Sequence, residues 1–326
     1  MVVGANPEQM IAQGFKPVGR DFPVFLHPKT HEEYALARTE RKTAKGHQGF
    51  TFHADETVTL EEDLSRRDLT INAIAQDTQG HRIDPFQGQA DLQNRILRHV
   101  SPAFKEDPLR ILRVARFRAY LGAFDFIIAP ETLRLMQSMV AENMITELSD
   151  ERVWQEILKA LKTDYPERFF ITLQEINLLP TLFPHLTQKG IDALIRAKAI
   201  STDPEIRFSA LAHEGPYLRS APKAFSDLRD LSARHFETAM HFSTLNPPSQ
   251  LALLKNLDAL RREDRFDQWL TACHAIRADF PRVLLITALG KLKGINRQAI
   301  AKQQHSTHDI QDAIRAAEII ALQTST

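Results

Sequence analysis

Two short stretches of this chain carry side chains whose types and spacing could do chemistry. The first is Arg66-Arg67-Asp68, with Asn72 one helical turn on. The second is Glu106-Asp107-Pro108-Leu109-Arg110, with Arg113 and Arg116 following at equal intervals. Asp before Pro is a helix start. The carboxylate can cap free amides, and the fixed φ of Pro suits the first helical position. On the helix that follows, neighbours three apart lie side by side, so Asp107, Arg110, Arg113 and Arg116 form one polar ridge. Leu109, Leu112 and Ala115 fall towards the other side, giving an apolar back and a row of guanidinium forks in front. A guanidinium stays charged at any relevant pH and grips phosphate with two parallel hydrogen bonds. An Asp beside an Arg places an acceptor next to donors, a pattern that can read the edge of a base. A solvated helix face laced with ion pairs uses the same spacing. The spacing alone leaves both readings open.

The series of motifs separates them. ArgArgAsp-x-x-x-Asn, the Ile83-Asp84-Pro85-Phe86 turn and Glu-Asp-Pro-Leu-Arg-x-x-Arg-x-x-Arg occur in this order. Residues 19–42 (GRDFPVFLHPKTHEEYALARTERK) precede them and residues 150–161 (DERVWQEILKAL) follow. This series resembles the bacterial-type tRNA CCA-adding nucleotidyltransferases, close relatives of the bacterial poly(A) polymerases. The resemblance is close over about the first half of the chain and loose beyond it. It implies an α/β nucleotidyltransferase head of the polymerase-β-like kind over residues 1–100, N-terminally incomplete. An all-helical neck with the base-reading ridge over 101–180 and a helical body over 181–326 would follow. The implied activity is template-independent addition of C, C and A to a tRNA 3′ end, from CTP and ATP, with Mg²⁺. By resemblance, Arg67, Arg113 and Arg116 would hold the nucleotide. Asp107 and Arg110 would present base-pair-like partners, and Asp68 and Asn72 would lie by the ribose. Lys291, Lys293 and Arg297 would help the body grip tRNA.

The sequence departs from the family pattern in two places. The Gly-Gly phosphate loop and the Asp-x-Asp pair that holds two metal ions have no counterpart, and Asp63 and Asp68 belong to the nucleotide-reading motif. The expectation is therefore a chain with no catalytic residue and no metal ligand of its own. Residues 1–326 alone would be poorly stable and catalytically silent, with weak nucleotide binding. The second departure is the His-Asp phosphohydrolase site of many relatives. The matching segment reads FSALAHEG over 208–215, so Glu214 replaces Asp, and residues 188–198 hold no histidine. A metal site needs several converging ligands, so His213 reads as a helix-end residue in a degenerate region. His235 and His241 read as packed or solvated. Two rivals stay open: a poly(A) polymerase, and a remnant that binds tRNA or nucleotide without chemistry.

Positioning these residues takes about two domains, which 326 residues supply. Hydrophobic content of 43% and charged content of 25% suit a soluble globular chain. Lys+Arg and Asp+Glu are equal at 41 each, so RNA must be met by a local basic patch rather than a global charge. The single Cys273 excludes an internal disulfide and suits a reduced, cytoplasmic compartment. No run of about 18 apolar residues predicts a membrane span. No signal-like segment follows Met1, and no protein partner is inferred.

Element by element, Val2-Val3-Gly4 predicts a strand stub and Asn6-Pro7 a capped helix. Residues 21–27 and 33–38 predict a hairpin. Glu33 and Glu40 beside it read as solvated edge carboxylates. Residues 43–57 predict a loop, in the family a mobile lid near the nucleotide, with His47 and His53 as surface residues rather than metal ligands. Helices are predicted over 130–140, 150–162 and 166–177. After a break at 178–184, more follow over 188–199, 203–213, 221–241, 248–262, 264–277, 280–292 and 308–322.

Overall fold

The structure is a computed structural model and describes residues 1–18, 24–42, 50–215, 217, 220–304 and 306–323. The chain divides into two compact units, Met1–Leu178 and Leu179–Thr326. Among the described residues, no helix is long and apolar enough to cross a membrane.

In the first unit, Val2 joins a sheet edge as the strand stub. Its N–H donates to the Ala35 carbonyl at 2.8 Å, and the Ala37 N–H donates back to its carbonyl at 2.7 Å. Asn6 then caps α1 (Pro7–Ala12) in a reciprocal capping box with Gln9. Strands β1 (Lys16–Val18), β2 (Val24–Leu26) and β3 (Glu33–Ala35) form an antiparallel sheet, with Val24 opposite Ala35. Val2 pairs with Leu36 in parallel, so the pairing is mixed. The expected hairpin is present in its described part.

The loop expected over 43–57 needs correction. Phe50–His53 is a strand, β5, antiparallel to β4 (Thr39–Lys42). Its Phe-Thr-Phe run has the aromatic and β-branched character that favours a pleated surface, and this outweighs the neighbouring glycines. Residues 43–49, His47 among them, lie outside the described residues.

Helix α2 (Leu60–Ser65) starts in a second capping box, Thr59 with Glu62. A single 3₁₀ turn over Thr70–Asn72 follows, then the β6–β7 hairpin (Ala75–Gln76, Arg82–Ile83) and α3 (Gly88–Asn94). The Ile-Asp-Pro-Phe turn is the start signal of α3. Asp84 accepts the N–H of Gly88 at 2.7 Å and of Gln89 at 2.8 Å. Strand β8 (Ile96–Leu97) pairs in parallel with β9 (Ile127–Ile128). Between them lies α4 (Leu109–Tyr120), packed against α6 (Asp150–Leu161) and α7 (Glu167–Glu175), with α5 (Pro130–Ala141) between β9 and α6. Ile111, Leu112, Val114, Ala115 and Ala119 make the apolar back of α4 and are buried.

The second unit is helical: α8 (Leu179–Leu182), α9 (Gln188–Ile200), α10 (Pro204–Leu211), α11 (Lys223–Met240), α12 (Pro247–Asn256), α13 (Glu263–Ile276), α14 (Arg282–Lys293), α15 (Arg297–Lys302) and α16 (Thr307–Gln323). Its core gathers Leu228, Leu254, Trp269, Cys273 and Leu285. Ser209 of α10 and Ser232 of α11 satisfy each other inside that core, hydroxyl to hydroxyl at 2.8 Å. The helix expected over 248–262 stops at Asn256, where Asp258 takes a left-handed φ of 52°.

Candidate functional site

The site grows from the end of α2. The Thr59 cap fixes where the helix begins, and so fixes which side of it Asp63 faces. Asp63 is 1% exposed. It accepts the Arg38 backbone N–H at 3.2 Å, the Arg67 Nη2 at 3.1 Å and the Arg66 guanidinium. Burial pushes its carboxyl up, but Arg66 and these donors more than offset that and hold it below the usual carboxylate range. Arg67 also donates through Nη1 to the Asn72 carbonyl at 2.8 Å.

Asp68 is the centre of a second cluster and is 5% exposed. Its Oδ1 accepts the Leu69 N–H at 2.9 Å and the Asn72 Nδ2 at 3.0 Å. Its Oδ2 accepts Arg113 Nε at 2.7 Å, across 45 residues of chain. Burial again pushes the carboxyl up; the Arg113 charge and the hydrogen bonds bring it below its ordinary value. Arg67, Asp68, Asn72 and Arg113 therefore form one linked group. Asp91, on α3, steadies it from behind by accepting Thr70 Oγ1 at 2.7 Å and Arg98 Nε at 3.0 Å.

The ridge on α4 differs from the open row of forks expected. Asp107 does cap the helix, accepting the Leu109 N–H at 3.0 Å, but its other oxygen accepts Arg152 Nη2 from α6 at 2.9 Å. Arg110 is turned inward, 6% exposed, and donates to the Ala103 carbonyl at 2.8 Å. The Asp107 and Arg110 side chains thus turn to different partners, Arg152 and the Ala103 carbonyl. Arg116 donates through Nε to Glu156 at 2.5 Å and lies over the Phe117 ring at 4.5 Å. Glu156 is 2% exposed and takes Lys159 as well, at 3.1 Å. Only Arg67 and Arg113, at 33% and 36% side-chain exposure, reach solvent to a third among the four arginines singled out. The reason is the i,i+3 spacing itself. It spirals by about 60° per step in a straight helix, so a ridge starting at Arg113 rolls into the core one turn earlier.

Sequence reasoning placed Asp63 in the nucleotide-reading motif without its arginine partners, and it missed Arg152 and Glu156 as partners. Asp63 was findable, since it stands at i,i+3 and i,i+4 to Arg66 and Arg67. Arg152 and Glu156 lie on another helix, and no local pattern ties them to Asp107 and Arg116.

Among the described residues, no group of three or more His, Cys, Asp or Glu is placed to hold a metal ion. The oxygens of Asp63 and Asp68 are taken by amide and guanidinium donors, so these carboxylates do not fit a metal pair. His53 bonds Asp55 at 2.5 Å. Glu33 is exposed on β3, and Glu40 lies on β4. In the second unit, His213 bonds the Ala210 carbonyl at 2.7 Å through Nδ1. Glu214 accepts the Thr187 N–H at 3.1 Å and its hydroxyl at 2.7 Å, which fastens the start of α9. His235 is half-buried on α11, and burial lowers its pKa. Lys293 pairs with Glu263 at 2.5 Å and Arg297 with Glu318 at 3.0 Å, so both charges are met within the unit.

Family models described as "Poly A polymerase head domain" and "Probable RNA and SrmB-binding site of polymerase A" match residues 3–98 and 125–189. The chain is 49% identical over 288 residues to the CCA-adding enzyme of Coxiella burnetii, spanning 85% of this chain and 76% of that protein. It is 46% identical over 320 residues to the Multifunctional CCA protein of Teredinibacter turnerae, spanning 84% and 78%. Its fold matches the Thermotoga maritima CCA-adding enzyme, solved in complex with tRNA-CCA, at a TM-score of 0.69 and 19% identity, over 99% of this chain and 82% of that one. Motif series, fold and relatedness over most of its length agree: the chain belongs to the CCA-adding enzymes, a family of nucleotidyltransferases.

Proposed function

We propose that this chain serves the addition of C, C and A to tRNA 3′ ends from CTP and ATP, with residues 1–100 as head, 101–180 as neck and 181–326 as body. Its partners are tRNA, CTP and ATP. A cytoplasmic location suits a tRNA substrate and a lone reduced thiol. The observation that carries the reading is the linked group of Arg67, Asp68, Asn72 and Arg113, in a chain of the CCA-adding family. Arg67 and Arg113 are the cations of that group, each about a third exposed, and they hold the triphosphate. Asp68 aims Arg113 through Nε, leaving its two Nη groups as the outward fork. Asn72 and Asp68 face the ribose. Arg116 sits deeper and stiffens the base-stacking face through Phe117. Asp107 and Arg110 read the base only after releasing Arg152 and the Ala103 carbonyl, so base choice is coupled to a rearrangement at the start of α4.

The family generally uses a divalent metal, and we assign Mg²⁺ to the activity. It would neutralise phosphate charge and activate the primer hydroxyl. Its ligands do not come from Asp63 or Asp68, whose oxygens are taken by amide and guanidinium donors.

Nucleotide choice tests the reading. Titrations of the full chain should give CTP and ATP affinities at least about tenfold tighter than those of UTP and GTP, as a bidentate base contact requires. Arg113→Ala should weaken all four together, and Arg110→Lys should narrow the differences. Equal affinity for all four nucleotides would overturn it.

A further inference from the structure

The solvent face of α4 does not end at the arginines. Arg113, Phe117 and Tyr120 follow at helical spacing on one face, and the chain reaches Phe124 one turn later in the Gly122–Phe124 turn. Tyr120 is 67% exposed and Phe124 58%. Large aromatic side chains are normally buried at least in part, so two in solvent four residues apart call for a partner. Tyr165 is brought alongside. Its ring packs onto Gly122, the residue midway between them, so closely that an added Cβ there would lie 2.5 Å from the ring. Cations bracket the row. Arg113 and Arg116 lie over the Phe117 ring at 5.9 and 4.5 Å, and Arg168 lies over Tyr165 at 5.6 Å while pairing with Asp125.

We propose that this aromatic row is a stacking track for the unpaired 3′ end of an RNA. The inference rests on the proposed function, because the track begins at the cations assigned to the nucleotide. Exposed aromatics interleaved with guanidinium groups are the chemistry that holds single-stranded nucleic acid without regard to sequence. The seven steps of helix from Arg113 to Tyr120 rise about 10 Å, room for about three stacked bases. The track would hold the strand that is being extended while the cations hold the incoming nucleotide.

The probe is a six-nucleotide single-stranded RNA with 2-aminopurine next to its 3′ end, titrated with the full chain. Stacking should quench the fluorophore. The Tyr120→Ser, Phe124→Ser double variant should bind at least about tenfold more weakly with little quenching. Tyr120→Trp, Phe124→Trp should restore both, and CTP affinity should stay as in the unaltered chain. Both positions are exposed, so folding is not at stake. Unchanged affinity and quenching in the serine variant would overturn the track. So would a concentration-dependent dimer that the same substitutions abolish, since the row would then be a contact between copies. A chain that binds CTP selectively but not the oligonucleotide would refute the track and leave the nucleotide reading standing. Failure to bind either would remove both.

Discussion

Asp68 shows how much one carboxylate carries. It is almost fully buried and charged because three donors converge on it. Asp68→Ala would leave Arg113 without its partner and the Leu69 and Asn72 amides without an acceptor. Breaking a buried pair costs about 3–5 kcal/mol, and Arg113's partial exposure places this case near about 3. Urea denaturation of the variant measures it. The pH dependence has a definite sign. Asp63 and Asp68 both have folded pKa values below their unfolded ones. Their stabilisation is therefore complete above the unfolded carboxylate value, near about 4, and is lost as pH falls through the folded values. The urea midpoint should hold level through neutrality and drop below about pH 4. Asp68→Asn should flatten that drop. At this scale the sequence spoke in part. It named Arg67, Asp68, Asn72 and Arg113, which the structure brings together. It could not say that Arg110 points inward, because a helical repeat gives relative angles only, while tertiary packing sets the absolute one and seats Arg110 on the Ala103 carbonyl.

Elements decide whether those residues meet. Helix α2 is short and depends on its cap, where Thr59 and Glu62 satisfy each other's backbone amides. Thr59→Ala should cost about 1 kcal/mol and loosen Asp63 from Arg38 and Arg67, which amide exchange at Arg38 would report. Between α4 and α6, the Arg116–Glu156 and Asp107–Arg152 pairs act as two rungs. Glu156→Ala should be the more damaging cut, about 3–5 kcal/mol, because it strands Arg116 at low exposure. Most helices were legible from caps and prolines: Asn6-Pro7, Ser149 before Asp150, Asp203-Pro204 and Asn246-Pro247 all start helices where those residues stand. Strand β5 was not legible, because the segment before it, with Gly46 and Gly49, reads as a loop until β4 supplies hydrogen-bond partners. Helix α15 was also missed, being six residues long with no buried residue to give it a period.

For the molecule as a whole, two compact units and a charge balance of zero set the terms. Cys273 is wholly buried in the core of the second unit, and burial pushes its thiol far up. Alkylation should be negligible in the native chain and should appear only as that unit opens, so thiol labelling against urea reads the stability of residues 179–326. Labelling before the unfolding transition would contradict that core. The charge balance repeats itself locally. Arg66 and Arg67 meet Asp63, Arg113 meets Asp68, and Arg116 meets Glu156. On the proposed reading, a triphosphate arriving here would not fill an empty basic pocket; it would barter, sharing a guanidinium that already has an anion. Such a site behaves as an ion exchanger. Salt weakens the resting pair and the incoming contact together, so CTP affinity should fall only gently with KCl. Asp68→Asn, which removes the neighbouring negative charge but keeps an acceptor for Arg113 Nε, should steepen that salt dependence. The exchange would also set a threshold on the guest, since a singly charged anion gains too little from a fork whose charge a carboxylate already meets, while a polyphosphate gains enough.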